Sequence, residues 1–180
     1  MNKDELKGKI AEAFNILLER DGELFKCNIH GNGHNEEPGY ARKLHEVCIN
    51  HKLANYLEEI IVPSINGDNR YFVDIEFNKE GKNDKLIVLK GETVTARPDI
   101  IIHNRISGQQ KKNFLIVECK KQSASKADKQ YDILKIIEFM HHDKYLYEFG
   151  LQVIYDENII KGTLFYKVGT EIEQEEIAIP

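Results

Sequence analysis

The chain has 180 residues, 41% hydrophobic and 31% charged, which fits one soluble globular domain over residues 1–180 with enough apolar matter for a core. Its 25 Lys and Arg stand against 30 Asp and Glu, a formal net charge of −5, so it lacks the strong positive balance common among nucleic-acid-binding domains. Cys27, Cys48 and Cys119 are odd in number and far apart, which argues against a disulfide framework or a zinc ribbon and for a reducing compartment. Residues 3–9 are charged, and no stretch approaches the ~18 apolar residues of a membrane span, so a cytoplasmic protein without membrane contact is expected.

Residues 4–20 set Leu6, Ile10, Phe14, Leu17 and Leu18 at helical spacing, predicting an amphipathic helix that Asp21-Gly22 ends. Residues 31–39 are rich in Gly, Asn and His and read as a loop. Cys27, His30 and His34 lack a fourth zinc ligand there, and Gly31-Asn32-Gly33 is too short for a phosphate loop. From 40 to 61, Leu44, Val47, Cys48, Ala54, Leu57 and Ile61 mark a second, longer helix, which Pro63 is expected to stop. Glu46 borders that apolar stripe, either as a surface carboxylate or as an outer metal ligand reaching over a sheet, while His51 reads as a packed or hydrogen-bonded histidine. After a turn at Asn66-Gly67-Asp68, Tyr71, Val73, Ile75 and Phe77 alternate with Phe72, Asp74 and Glu76, the pattern of a half-polar strand. Residues 78–84 are turn-rich, and 85–90 with 92–96 read as a hairpin leading to Asp99.

Pro98-Asp99 opens one apolar run, and after the turn-bearing interval 104–112 a second run closes with Glu118-Cys119-Lys120-Lys121. In a strand, Phe114, Ile116, Glu118 and Lys120 share one face while Leu115, Val117 and Cys119 share the other. Both faces are largely apolar, so this reads as a buried central strand, where an ionised Glu and a Lys cost several kcal/mol unless something satisfies them. With the Asp99 run roughly 4.8 Å away across the ladder, Asp99 and Glu118 can converge on one point beside the Lys120 ammonium. The competing reading is an exposed Glu118–Lys120 pair on an edge strand, worth only about 0–1 kcal/mol.

Farther on, 127–140 places Tyr131, Leu134, Ile137 and Met140 on one helical face, with Asp132 and Lys135 on the other, where they can pair or touch backbone phosphates. Ser123-Ala124-Ser125-Lys126 matches Ser-x-x-Lys in letters only. Residues 147–155 and 163–168 read as a strand pair turning around Asp156-Glu157-Asn158, and 171–179 as an acidic tail with edge-strand character.

Pro98-Asp99 followed by Glu118-Cys119-Lys120 resembles the PD-(D/E)xK signature of the restriction-endonuclease-like nuclease superfamily. With 17–21, 46–58 and 73–79 added, the order of segments is similar, over most of the chain, to a family of small bacterial PD-(D/E)xK-like proteins without an assigned substrate. The resemblance implies an α/β fold of α+β sandwich type, a restriction-endonuclease-like core whose central mixed β-sheet is flanked by helices. It matches Glu46 to a helix-borne acid and Asp74 and Glu76 to an acidic strand, although Val47 and Ile49 stand where the family has a small polar residue.

The expected function is a metal-dependent nuclease, an endonuclease hydrolysing phosphodiester bonds of DNA or RNA, with DNA as the expected partner and Mg²⁺ or Mn²⁺ as cofactor. Asp99, Glu118 and the Cys119 backbone carbonyl are the expected metal ligands. Lys120 is expected to orient water or stabilise the transition state, and Glu46 and Glu76 are candidates for a further ligand or a supporting group, with Asp74 structural. Lys111, Lys112, Lys120, Lys121, Lys126 and Lys129 gather near the motif in sequence, and Lys121, Lys126 and Lys135 are expected at the nucleic-acid backbone, against the alternative of an ordinary solvated face. A homodimer is the expected assembly. The rival function is a catalytically silent nucleic-acid-binding or assembly module of a defence or repair complex that retains the fold.

Overall fold

The computed structural model describes residues 1–25, 40–65, 67, 70–106, 112–156, 159–177 and 179, without the side chains of 40–45 and 80. Helix α1 (Lys3–Asp21) begins on a capping box, in which Asn2 Oδ1 accepts from the Glu5 amide and Glu5 Oε2 accepts from the Asn2 amide, both at 2.9 Å. Leu6, Ile10, Ala13, Phe14 and Leu17 form its fully buried face, each large side chain contributing about 1.5–3 kcal/mol of transfer free energy. A 3-10 turn (Gly22–Phe25) follows.

Helix α2 (Tyr40–Ile65) continues through Pro63, against the expectation that proline would stop it. Pro63 lies in the last turn, where only one intrahelical bond is forfeited, and the burial of Ile61 and Val62 holds that turn in place. The buried stripe is also phased differently from the prediction. Ile49, Leu53, Ala54, Tyr56, Leu57 and Ile61 face the core, while Val47 is 56% exposed.

Among the described residues ten strands follow: β1 (Phe72–Ile75), β2 (Lys79–Glu80), β3 (Asn83–Asp84), β4 (Leu86–Leu89), β5 (Glu92–Thr95), β6 (Ile100–His103), β7 (Asn113–Lys121), β8 (Phe149–Asp156), β9 (Ile159–Val168) and β10 (Glu171–Ile177). Helix α3 (Lys126–His141) lies between β7 and β8 and starts at Ser125, whose hydroxyl accepts from the Asp128 amide. Six strands form one mixed sheet in the order β1-β6-β7-β8-β9-β10, with β7–β8 parallel and the other neighbours antiparallel. A parallel pair needs a crossover, and α3 supplies it.

Helices α1 and α2 cover one face of the sheet, against Ile100, Ile102, Leu115, Val117, Cys119, Leu151, Val153 and Tyr155. Helix α3 and the β4–β5 hairpin cover the other, against Ile101, Ile116 and Phe165. The hairpin turns at Lys90 (φ +53°) and Gly91 (φ +85°), the positive angles a tight two-residue turn requires. The Tyr145 hydroxyl anchors it by accepting from the Leu86 amide at 2.9 Å and donating to the Leu86 carbonyl at 3.1 Å. The structure is therefore a mixed α and β architecture with helices on both faces of a mixed sheet. No helix among the described residues is long and apolar enough to cross a membrane.

Three face assignments differ from the sequence pattern. Phe114 joins the α1- and α2-side core with Leu115 and Val117 rather than the face of Ile116, Glu118 and Lys120, because the β6–β7 register shifts between Ile102 and His103, where the pairing passes from Leu115 to Asn113 and skips Phe114. Phe77 joins the α3-side core rather than the Tyr71 and Val73 side, because Glu76 adopts φ +49° just beyond β1 and breaks the alternation. On α3 the buried stripe is Asp132, Ile136, Phe139 and Met140, one step out of phase with the expected Tyr131, Leu134, Ile137 and Met140, and Tyr131 is 42% exposed. Of the terminal strands, β10 carries Glu171, Glu173, Glu175 and Glu176 on an open edge, charges that discourage edge-to-edge pairing.

Close approach of α3 to β8 depends on Gly150, where an added Cβ would meet Ile136 Cγ2 at 2.2 Å and Met140 Sδ at 3.0 Å. Gly150→Ala is expected to lower stability by about 1–3 kcal/mol in urea denaturation, because overpacking at a buried contact forces a shift of helix or strand. Unchanged stability would mean that α3 does not approach the sheet this closely.

Candidate active site

Asp99 is held by the two strands on either side of it. The β6–β7 register sets Ile100 opposite Val117, so Cys119 falls opposite Pro98, before the start of β6, where the ladder has ended. The Asp99 side chain takes over, with Oδ2 accepting from the Cys119 amide at 2.7 Å. On its other side the Asp99 carbonyl accepts from the Glu76 amide at 2.9 Å. The carboxylate therefore stands where β6 and β7 part, and burial pushes its pKa up against the opposing pull of the Cys119 amide and of Lys120 and Lys135.

Glu118 and Lys120 project to the α3 side of β7, while Cys119 belongs to the core on the α2 side. Glu118 is 1% exposed, and its Oε2 accepts from Lys135 Nζ at 2.6 Å. Its Oε1 is buried with no hydrogen-bond partner among the described residues. Burial above all, together with the charges of Asp99 and Asp132 and against the attraction of Lys135, leaves the Glu118 pKa pushed up to about 8. Lys135 also reaches Asp132 Oδ1 at 3.1 Å, and Lys120 Nζ lies 3.4 Å from Asp132 Oδ2. Burial alone would lower the pKa of each lysine. For Lys120 the charges of Asp132 and Asp99 outweigh it, and for Lys135 those of Glu118 and Asp132, so both stay firmly cationic. Beside Glu118 in the parallel register stands Gln152, whose amide donates to the Lys129 carbonyl at 2.7 Å and ties α3 to β8.

Of the two readings the sequence offered for Asp132 and Lys135, the pairing with each other is present, at 3.1 Å, but sequence reasoning set both on the helix face away from the sheet and so missed them as members of this cluster. Lys135 is only 13% exposed at its side chain and is committed to Glu118 and Asp132. The signal was present: Asp132 precedes Ile136, Phe139 and Met140 at intervals of four, three and one, so a helix phased on those residues carries a carboxylate toward the sheet.

Other expected residues are placed elsewhere. Glu46 is half-buried on the opposite side, where its charge acts on the Cys119 thiol and the Tyr155 phenol, both raised chiefly by burial. The Glu76 side chain is 50% exposed and lies 3.5 Å from Arg97, outside the cluster. Asp74 forms a clamp with His103, at 2.7 Å, and with Arg105, which agrees with a structural part. Lys112 precedes β7 and Lys120 stands near its far end, roughly 26 Å away at about 3.3 Å per residue, so the lysines close in sequence do not gather at one place. Lys126 is exposed at the start of α3, Lys121 is half-buried, and Lys129 donates to the Gln122 carbonyl at 2.6 Å. Cys27, His30, His34 and Lys111 lie outside the described residues.

The donors around Glu118 are carboxylate oxygens and suit a hard divalent cation in chemistry, and the buried Glu118 Oε1 is a lone pair without a partner. Among the described residues no group of three or more His, Cys, Asp and Glu side chains stands close enough together to hold a metal ion.

Because the ordinary Glu118 value of 4.5 rises to about 8 on folding, the folded chain keeps a proton that the unfolded chain gives up between those values. That contribution to stability is complete below pH 4.5 and is lost as the pH rises toward 8, at no more than about 1.4 kcal/mol per pH unit. Urea unfolding followed from pH 5 to 8 is expected to show falling stability in the wild type and a shallower fall in Glu118→Gln. Equal slopes would mean that Glu118 is already ionised in the folded state across this range.

Compared with protein-family models, with curated proteins and with solved structures, the chain finds no significant match in any of the three.

Proposed function

We propose that the protein is a metal-dependent nuclease that hydrolyses phosphodiester bonds, with DNA as the substrate class, on a restriction-endonuclease-like core. The observation that carries this reading is Glu118 itself, 1% exposed within a central strand, with one oxygen on Lys135, the other unpartnered among the described residues, and Asp99 and Asp132 near enough to act on it. A carboxylate so placed costs several kcal/mol in an apolar interior, a cost that two residues of a merely structural strand would not need to carry. The flanked mixed sheet, Asp99 just before β6, the strand-borne Glu118 and the helix-borne Glu46 support the finer fold assignment.

Asp99 and Glu118 would hold a Mg²⁺ or Mn²⁺ ion, with the Cys119 carbonyl as a further oxygen donor. When bound, such an ion supplies neutralisation of the phosphate charge and activation of a water nucleophile. The chain's own groups divide the remaining work. The Cys119 amide fixes Asp99 Oδ2, which leaves the other oxygen of that carboxylate for binding. Lys120 is 28% exposed and kept cationic by Asp132 and Asp99, so it acts as an ammonium that meets the growing charge on the phosphate oxygens, not as a base. Glu46, on the far side of β7, is a supporting charge whose reach is to Cys119 and Tyr155.

The test is cleavage of a panel of linear, branched and single-stranded nucleic acids in Mg²⁺ and Mn²⁺. Glu118→Gln is expected to abolish cutting while binding stays equal or tightens, since one negative charge near the phosphates is removed. Lys120→Ala is expected to reduce turnover by at least about a hundredfold with Mn²⁺ affinity retained. Wild-type protein that binds the panel with ordinary salt dependence yet cuts none of it, alone or with cell extract, overturns the nuclease reading in favour of a silent binding module.

A further inference from the structure

Helix α3 brings to this site a carboxylate that the proposed mechanism does not use. Asp132 is 1% exposed, and it stands between both lysines, with Oδ1 3.1 Å from Lys135 Nζ and Oδ2 3.4 Å from Lys120 Nζ. Oδ2 is buried and has no hydrogen-bond partner among the described residues, so its hold on Lys120 is loose. Lys135 sits between two carboxylates and makes its tighter contact, 2.6 Å, with Glu118. An ammonium with two acceptors within reach can give up one and keep the other.

We infer that Lys135 is a resident counter-ion of Glu118 which an incoming divalent cation displaces onto Asp132, so that helix α3 sets the metal affinity of the site. This rests on the metal reading above. In the protein without metal, Lys135 holds an ammonium in direct contact with the buried Glu118 Oε2, at 2.6 Å, on a flexible four-carbon stem. A divalent cation shared by Glu118 and Asp99 repels an ammonium a few ångströms away, and the strength of that repulsion in a partly desolvated site forces Lys135 to break with Glu118. Asp132 receives it without any change of helix position, because the Lys135 contact to Oδ1 already exists. Lys120, held only loosely by Asp132 Oδ2, is then the lysine left to face substrate.

The charge balance agrees with this exchange. Asp99, Glu118 and Asp132 against Lys120 and Lys135 sum to minus one when all are ionised, and a divalent ion turns the sum to plus one, the complement of a phosphodiester. With Asp132 removed, Lys135 would have no second acceptor and would hold Glu118 more tightly.

The experiment is calorimetric titration of the full chain with Mn²⁺ alone, on wild type, Lys135→Met, Lys135→Arg, Asp132→Asn and Glu118→Gln, each checked for folding by circular dichroism. Lys135→Met is expected to tighten Mn²⁺ binding by about tenfold or more, because a competing cation is gone. Lys135→Arg is expected to weaken it, since the guanidinium fork grips Glu118 at two points. Asp132→Asn is expected to weaken it as well, a direction that a purely structural role for Lys135 does not require. If Glu118→Gln abolishes binding but Lys135→Met leaves it unchanged or weaker, this inference is overturned and the metal reading stands. Should Lys135→Met not fold, Lys135→Arg decides: affinity equal to or above that of wild type overturns the inference. Absence of Mn²⁺ binding in both wild type and Lys135→Met, or full affinity in Glu118→Gln, overturns the metal reading and this inference with it.

Discussion

The contact between Glu118 and Lys135 joins the central strand of the sheet to the helix that covers it, in a place that water scarcely reaches. Removing Lys135 would take away the hydrogen-bond partner of a fully buried carboxyl, whereas removing Glu118 would leave Lys135 on Asp132 alone. Much else in the structure is arranged around that contact. It requires α3 to face the sheet through Asp132, Lys135 and Ile136 rather than through Tyr131 and Leu134. The helix must also lie close, and Gly150 permits this by presenting no side chain to Ile136. Gln152 completes the docking by donating to the Lys129 carbonyl one strand away from Glu118.

Asp99 shows how a ladder ending can become a chemical feature. A strand that continued in register would offer a backbone carbonyl to the Cys119 amide, but the β6–β7 pairing ends at Ile100 and the Asp99 carboxylate takes that amide instead. The residue is thereby held by backbone amides on both flanks, Cys119 at its carboxylate and Glu76 at its carbonyl. Its charge is felt by Glu118 and Lys120 on one side of β7 and by Cys119 and Tyr155 on the other. Such a position at the rim of two diverging strands gives access from solvent that Glu118, deeper in the strand, does not have.

A second buried charge cluster behaves differently and sharpens the contrast. Asp74 is surrounded by His103 and Arg105, and although burial raises its pKa, these hydrogen bonds outweigh it and the net value is lowered. Its oxygens are satisfied, whereas Glu118 Oε1 and Asp132 Oδ2 are not. Satisfied polar groups stiffen a fold, whereas a buried oxygen without a partner among the described residues, such as Glu118 Oε1, keeps its lone pairs open to a further donor or a cation. The β1–β6 cluster is therefore a structural clamp, and the β7–α3 cluster is where the chemistry is proposed.

Much of this was legible in the residue order. The apolar alternation of 115–121 determined a buried central strand with Glu118 and Lys120 on one face and Cys119 on the other, a period set by the backbone that breaks only at Phe114, where the β6–β7 register shifts. The helices, the hairpin at Lys90-Gly91 and the terminal strands were equally readable from local spacing and turn residues. What local pattern could not determine was phase and partner. Val47, Phe77 and Tyr131 each fit a plausible stripe, yet Val47 is exposed, Phe77 is turned across the sheet by the positive φ of Glu76, and Tyr131 faces water. Helical stripes one residue apart are nearly equivalent in sequence, and only the shape of the surface they meet chooses between them. The same choice carried Asp132 and Lys135 inward and left Glu76 and Glu46 away from Glu118. The identity of the charged groups was thus written in the chain, while their pairing was decided by how α3 seats on β7 and β8, a contact between segments far apart in sequence that no local periodicity encodes.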